Sequence, residues 1–214
     1  MAKYLKLTGF LASLAFAASF AGAGKASAAA AQAWTGNLNA VIGQRLLDND
    51  WDPVDDQLQL SLEADFRQQS WPVSLAVGIS YSWKDDSASE NVGGVIVDGD
   101  FEAKLWEFDL GVKKIYDTYG LPVNPFVGVG LAVISARVEA DATGNFGGVI
   151  VRAKDDDTDT GFGAWLSAGA YATIARNWNL GVQVKYTAME KLDLLDENVK
   201  SSSFQWGALV GYRW

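Results

Sequence analysis

The chain has no cysteine and no histidine among its 214 residues, and only four prolines and two methionines. Without cysteine there is no disulfide framework, no lipid attached at a thiol and no thiolate-bound metal. Without histidine, Ser-His-Asp catalysis and imidazole-ligated metal chemistry are excluded, which leaves an enzyme only a carboxylate mechanism. Basic residues are scarce as well: 17 Lys and Arg face 26 Asp and Glu, for a net charge of −9. A surface of that sign repels a phosphate backbone, so nucleic acid is not an expected partner. Beyond the first 28 residues, charge, Gly or polar residues interrupt every apolar run within a few positions. No later segment supplies the ~20 apolar residues of a spanning helix.

What is present begins with a positively charged start at Lys3 and Lys6, an uncharged apolar stretch from Leu7 to Gly22, and the small-residue site Ala26-Ser27-Ala28. These predict a secretory signal peptide over 1–28, removed on export, with 29–214 as the mature domain. Ala31-Gln32-Ala33 is a second cleavage point, and a retained anchor is the weaker reading because the apolar run falls short of a span. Losing Lys3, Lys6 and Lys25 leaves 14 basic residues against 26 acidic ones. An exported chain without a spanning helix can be integral only as a closed sheet, because nothing else satisfies every backbone donor and acceptor in hydrocarbon.

Eight segments with two-residue periodicity follow, separated by alternately short and long connections. The short ones are 68–71, 117–124 and 175–177, and the long ones 47–56, 84–100, 140–158 and 190–200. Leu58, Leu60, Leu62, Ala64 and Phe66 alternate with Gln59, Ser61, Glu63, Asp65 and Arg67, so a slip of one residue would put charge on the apolar face. Val73 to Trp83, Trp106 to Val112 and Trp178 to Tyr186 read the same way, and 34–46 fits with Leu38, Ala40 and Ile42 outward. The segments 126–138 and 161–174 are small or apolar on both faces, so their phase, and the side taken by Trp165, Tyr171 and Arg137, stays open. In the last eleven residues Phe204, Trp206, Ala208, Val210, Tyr212 and Trp214 share one face. A soluble β-sandwich would also alternate. The difference lies in large aromatics at both ends of the apolar faces with aliphatics between, against polar faces rich in Gly, Ala and Ser, which suits a lipid-facing band between aromatic girdles. Trp34, Trp71, Trp83, Tyr116, Trp178, Tyr186, Trp206, Tyr212 and Trp214 are the girdle candidates. The predicted fold is an all-β, eight-stranded, antiparallel, transmembrane up-and-down β-barrel.

With the leader, the eight alternating segments, the turn-flanking run Thr173-Ile174-Ala175-Arg176-Asn177-Trp178-Asn179-Leu180 and the closing Gly211-Tyr212-Arg213-Trp214, the chain resembles the small outer-membrane barrels of the OmpA, OmpX and OmpW type. It departs from their usual form in closing on Trp rather than Phe, and in carrying Leu209 where a Gly is expected. The resemblance implies residence in the outer membrane of a diderm bacterium among lipid and lipopolysaccharide, and handling by the barrel-assembly machinery during biogenesis. It also implies a monomer without cofactor or catalysis, serving envelope integrity or surface interaction. The OmpW-like alternative is a narrow passive channel for small hydrophobic molecules or ions.

Inside so narrow a barrel, charges must pair, because an uncompensated buried charge costs several kcal/mol. Glu63, Asp65, Arg67, Glu107, Asp109, Lys113, Lys185 and Arg213 fall on the polar faces and form the expected lumen network. Counting from the short turns sets Lys113 near the level of Asp65 and Lys185 near that of Asp109, with Arg67 and Arg213 at the inner mouth. A carboxylate pair could also serve catalysis, but a structural polar network is the preferred reading. The connections carry most of the remaining acid. Asp48-x-Asp50-x-Asp52 has the alternation of a calcium loop but lacks its Gly and closing Glu, so a solvated acidic rim is preferred over weak metal binding by Asp48, Asp50 and Asp52. Finally, Asn91-Val92-Gly93-Gly94-Val95-Ile96-Val97 recurs as Asn145-Phe146-Gly147-Gly148-Val149-Ile150-Val151. Each is a short strand after paired glycines, read either as a hairpin extended above the membrane or as an apolar surface for a partner or solute.

Overall fold

Charge against aliphatic at alternate positions is a strand signal, and in the computed structural model it produces ten strands over the described residues 34–48, 51–92, 95–116, 122–146, 149–189, 192–194, 197–199 and 202–214. The expected leader 1–28, Ala31-Gln32-Ala33, Asp50, the two glycine pairs and residues 117–121 lie outside these residues. The strands are β1 (Trp34–Leu47), β2 (Asp56–Gln68), β3 (Ser74–Val92), β4 (Val95–Ile115), β5 (Val123–Phe146), β6 (Val149–Ile174), β7 (Trp178–Met189), β8 (Leu192–Leu194), β9 (Glu197–Val199) and β10 (Ser203–Arg213). Eight of them close into an antiparallel ring in the order β1-β10-β7-β6-β5-β4-β3-β2, while β8 and β9 form a separate two-stranded hairpin.

Closure removes both sheet edges within the ring. It also gives every strand an inner and an outer face. Along β10 buried and exposed residues alternate without a break from Ser203 to Tyr212. The exposed side of the ring carries Leu60, Leu62, Leu110, Leu131, Phe162, Leu166, Leu180, Val182 and Val210. A water-soluble sheet does not present such a continuous apolar belt, and a barrel in lipid requires one.

The two segments of open phase are resolved. Val127, Val129 and Leu131 of β5 face out, as do Phe162 and Leu166 of β6, whereas Phe126, Ala132, Ile134, Trp165 and Tyr171 are buried inside. Arg137 is exposed on the outer side, above the belt.

The four long connections are not all loops. β3 and β4 pair without interruption from Ser74↔Lys113 to Val92↔Val95, and β5 and β6 from Val123↔Ala172 to Phe146↔Val149. β4 and β5 stay paired out to Val97↔Gly144. The described residues of 84–100 and 140–158, segments expected as loops on their charge, are therefore strand, and they join into one four-stranded sheet standing above the ring. Charge marked them as wet, but a sheet in water needs no apolar face to keep its backbone paired. The connection expected at 190–200 likewise contains the β8-β9 hairpin. The heights differ greatly: β10 has 11 residues and β6 has 26. At ~3.3 Å per residue and a tilt near ~40°, the shorter strands just cross the ~25 Å lipid band, and β6 runs on well past it.

Candidate functional site

Among the described residues, buried charge is concentrated in the lumen. Its outer mouth is closed by an apolar cluster of Leu47, Trp51, Val54, Ala103, Leu105, Ile134, Ala136 and Leu192. Trp51 and Val54 reach it from the β1-β2 connection, which folds back through Val54 N–H donating to Trp51 O at 2.7 Å and Leu47 N–H donating to Asp55 O at 2.8 Å. Leu192 comes from β8, so the additional hairpin is part of the cap.

Below the cap lies an ionic layer centred on Glu107. Its carboxylate is wholly buried and accepts from Arg45, which is wholly buried too. It also accepts from Lys185 Nζ at 2.7 Å, Thr187 Oγ1 at 3.0 Å and Gln205 Nε2 at 3.0 Å. Lys185 bridges onward to Asp109. A further step down, Lys113 Nζ donates to Glu63 Oε2 at 3.0 Å and lies 4.7 Å from the centre of the Phe126 ring. Gln183 Nε2 donates to the second oxygen of Glu63 at 2.5 Å. Glu107 and Glu63 thus each meet a cation and amide or hydroxyl donors together, the condition under which a buried charge is tolerated, whereas Asp109 has Lys185 on one oxygen and no hydrogen-bond partner on Oδ1.

The strand stagger of the barrel changes one expected pairing. Lys113 meets Glu63, not Asp65, because stagger carries β4 one pleat past the level reached by counting from the turns. Asp65 instead accepts from Asn37 Nδ2 at 2.9 Å, in a chain that continues through Asn179 Nδ2 to Asn37 Oδ1 at 2.9 Å and Thr173 Oγ1 to Asn179 Oδ1 at 3.0 Å. Arg67 and Arg213 line a small void beside Asp65, Asn37 and Tyr171 at the inner mouth.

A second apolar cluster of Val41, Phe126, Tyr171 and Leu209 fills the lumen alongside these polar groups, with Val41 near Gln183 and Lys185 and Tyr171 near Asn37 and Asp65. Leu209 is 1% exposed, so the departure from an expected Gly fills the lumen. Alongside, the indole of Trp165 lies on a floor of glycines. A Cβ built on Gly128 would stand 2.9 Å from Trp165 Cζ3, and one on Gly130 2.8 Å from Cε2. Trp165 Nε1 donates to Leu131 O at 3.1 Å, which places the ring's polar atom. The three described interior voids hold about 10 Å³ each, room for about one water molecule.

The expected lumen network left out Arg45 and Gln57, and it did not count Gln59, Gln183 and Gln205 although they fall on polar faces; all five are buried in the lumen. Arg45 had a signal: with Leu38, Ala40 and Ile42 outward, its odd position points inward.

The girdle candidates separate into two groups. Trp34 packs against Trp71 at 5.5 Å and Trp178 against Tyr212 at 5.7 Å near the short turns, where Tyr116 and Trp214 are also exposed. Trp83, Tyr186 and Trp206 lie toward the other end, where Tyr81 stacks on Trp83 at 5.3 Å and meets Trp106 at 4.6 Å. Of Asp48, Asp50 and Asp52, the first and the last are described, and no group of three or more metal-ligating side chains occurs among the described residues.

The sequence profile for the outer membrane protein beta-barrel domain matches residues 7–213. Among solved structures, a major outer membrane protein from Thermus thermophilus is similar over 85% of this chain and 100% of its own, at 12% identity and a TM-score of 0.53. Neisserial surface protein A matches over 84% of this chain and 95% of its own, at 16% identity and a TM-score of 0.47. The attachment invasion locus protein Ail of Yersinia pestis, in complex with the heparin analogue sucrose octasulfate, matches over 85% and 99%, at 16% identity and a TM-score of 0.46. No curated protein matches the chain. At such identities the likeness is one of fold.

Proposed function

Since this chain belongs to the family of outer membrane protein β-barrel domains, we propose that it is a sealed barrel serving envelope integrity and surface interaction, not a channel and not an enzyme. It is an integral protein of the outer membrane. In this reading residues 1–28 direct export and are cleaved, the barrel-assembly machinery inserts the chain, and the monomer sits among lipid and lipopolysaccharide with its tall sheet facing outward.

The observation that carries the reading is the filled lumen, which is occupied by an apolar cap, an ionic layer, a second apolar cluster and an amide network. Hydrated ions cannot cross an outer mouth packed with hydrocarbon, and the charges beneath it already neutralise one another. Planar-bilayer recording of the refolded barrel tests this. No channel events are expected from the wild type or from Lys113→Gln/Lys185→Gln, because the apolar cap and the second cluster survive that change. Stable conductance steps in the wild type would establish the channel reading instead.

A further inference from the structure

Charge is sorted along the barrel axis. Carboxylates crowd the outer connections and the tall sheet, whereas the three inner connections, 69–73, 117–122 and 175–177, hold one between them, Asp117, and one cation, Arg176. Lys114 near the end of β4 and Arg67 and Arg213 at the lumen mouth add three more cations at the inner end. Asp65, the carboxylate of that mouth, is buried. The outer cations Lys84, Lys104, Arg137 and Lys154 each hold at least one carboxylate. Lys114 does not: its Nζ donates to Pro72 O at 2.6 Å. Arg176 is exposed, and among the described residues neither of the two forms an ion pair.

Arg176 stands at the turn between β6 and β7 in the left-handed region, with φ 73°, next to Ala175 with φ 47°. Glycine adopts such angles freely, and other residues do so at a cost. Asn177 fastens the turn to β10, its Nδ2 donating to Arg213 O at 2.6 Å and its carbonyl accepting from Arg213 N–H at 2.6 Å. On either side of the turn the cross-strand partners Ile174 and Trp178 are exposed on the lipid face, and Trp178 is paired in register with Tyr212 of the inner girdle. The chain thus keeps an arginine where glycine would be less strained, against the girdle. Lys114 is placed in a similar way. Even-numbered residues of β4 such as Leu110 and Val112 face lipid, so Lys114 leaves the barrel between Val112 and Tyr116, at the inner limit of the apolar band.

We propose that the inner rim binds the phosphate groups of anionic phospholipid in the periplasmic leaflet, with Arg176 and Lys114 as the phosphate donors and the girdle rings of Trp178, Tyr212 and Tyr116 packed beside the lipid. Both cations lie on the lipid side of the rim, where a headgroup reaches them while its chains stay in the band; a polymer approaching from below would meet Arg67 and Arg213 first. A cation at an anionic membrane surface favours its counter-lipid by about fivefold per residue. The carboxylates of the outer end repel the same headgroup, so the preference belongs to one leaflet. The proposal rests on the orientation given above, with the tall sheet outward, and names the lipid class met at the opposite end.

The test uses the full barrel in nanodiscs of phosphatidylethanolamine and phosphatidylglycerol in equal parts, with the lipids that remain bound after release counted by native mass spectrometry. Phosphatidylglycerol is expected in at least threefold excess on the wild type and near parity on Lys114→Gln/Arg176→Gly. The urea midpoint of Arg176→Gly alone should not fall, because glycine relieves the strained turn, and Arg176→Lys should keep the excess. Parity in the wild type would overturn the proposal, whether or not the barrel then cosediments with peptidoglycan. Persistence of the excess in the double variant would overturn the assignment to these two residues. Loss of the excess in inorganic phosphate but not in chloride of equal ionic strength would assign the rim to the free anion and overturn the lipid. Conductance plays no part in these readouts, so the sealed-barrel reading stands or falls separately.

Discussion

The indole of Trp214 lies over the Cα of Gly36. A Cβ on Gly36 would stand 2.5 Å from the ring's Cζ2 and 2.5 Å from the backbone oxygen of Asp65. The two residues also exchange backbone hydrogen bonds, Trp214 N–H to Gly36 O at 3.1 Å and Gly36 N–H to Trp214 O at 3.4 Å. The seam between β1 and β10 is thus fastened by main-chain pairing and covered by an aromatic plate that only glycine admits. Gly36→Val is expected to destabilise the barrel by about 1–3 kcal/mol through overpacking. Urea unfolding followed by Trp fluorescence reads the change; an unaltered midpoint would show that the ring moves aside at no cost.

Glu107 is the hinge of the ionic layer. Glu107→Ala leaves Arg45 and Lys185 buried with one counter-ion fewer, and the expected loss is about 3–5 kcal/mol. Arg45→Met/Glu107→Leu removes charge from both sides and should recover most of it. The same urea titration measures both, and recovery in the double variant separates uncompensated charge from lost packing.

Trp165 occupies the room that Gly111, Gly128 and Gly130 leave open. Trp165→Ala is expected to cost about 3–5 kcal/mol through the cavity it opens. In bilayer recordings the variant should remain silent, because Trp165 belongs to neither the outer cap nor the cluster around Phe126 and Leu209.

At the outer rim, the hydrogen bond from Lys84 holds the Asp56 carboxyl below the usual aspartate range, and the same bond raises the lysine. A depressed carboxylate contributes stability that is fully present above its unfolded pKa and is lost as the pH falls through the lower folded value. The raised lysine acts in the opposite window: its share is present below its unfolded pKa and is lost as the pH rises through the higher folded value. Both groups are partly open to water, so the pair contributes less than about 1 kcal/mol. Asp56→Asn should flatten a small acid-side decline in stability and leave neutral pH nearly unchanged, as followed by thermal unfolding at stepped pH. Raising the salt concentration should have the same flattening effect on the unmodified chain.

The clarity of the sequence varied strand by strand for one reason, namely what the lumen holds. Where β2 sends Gln59, Glu63 and Asp65 inward against Leu58, Leu60 and Leu62 outward, the contrast is unmistakable, and the ring could be drawn from it. β5 and β6 send Phe126, Ile134, Trp165 and Tyr171 inward, so both faces are apolar and alternation vanishes although the strands are equally regular. A barrel stoppered partly by hydrocarbon hides its own phase. The tall sheet was hidden by the opposite effect: with no apolar face to bury, 84–100 and 140–158 carry the composition of loops, and only their cross-strand register reveals them. The ionic layer was legible as a set of residues, while the partners followed from stagger, which no single strand encodes.

The unequal strands have a mechanical meaning. β3 to β6 pass from the lipid band into the outside medium with no break in hydrogen bonding. A pull or a push at the tip of this wall is therefore delivered straight to the embedded ring, as along a mast stepped into a hull. The low rim formed by β1, β2, β7 and β10 offers no such lever, so the molecule has a windward side.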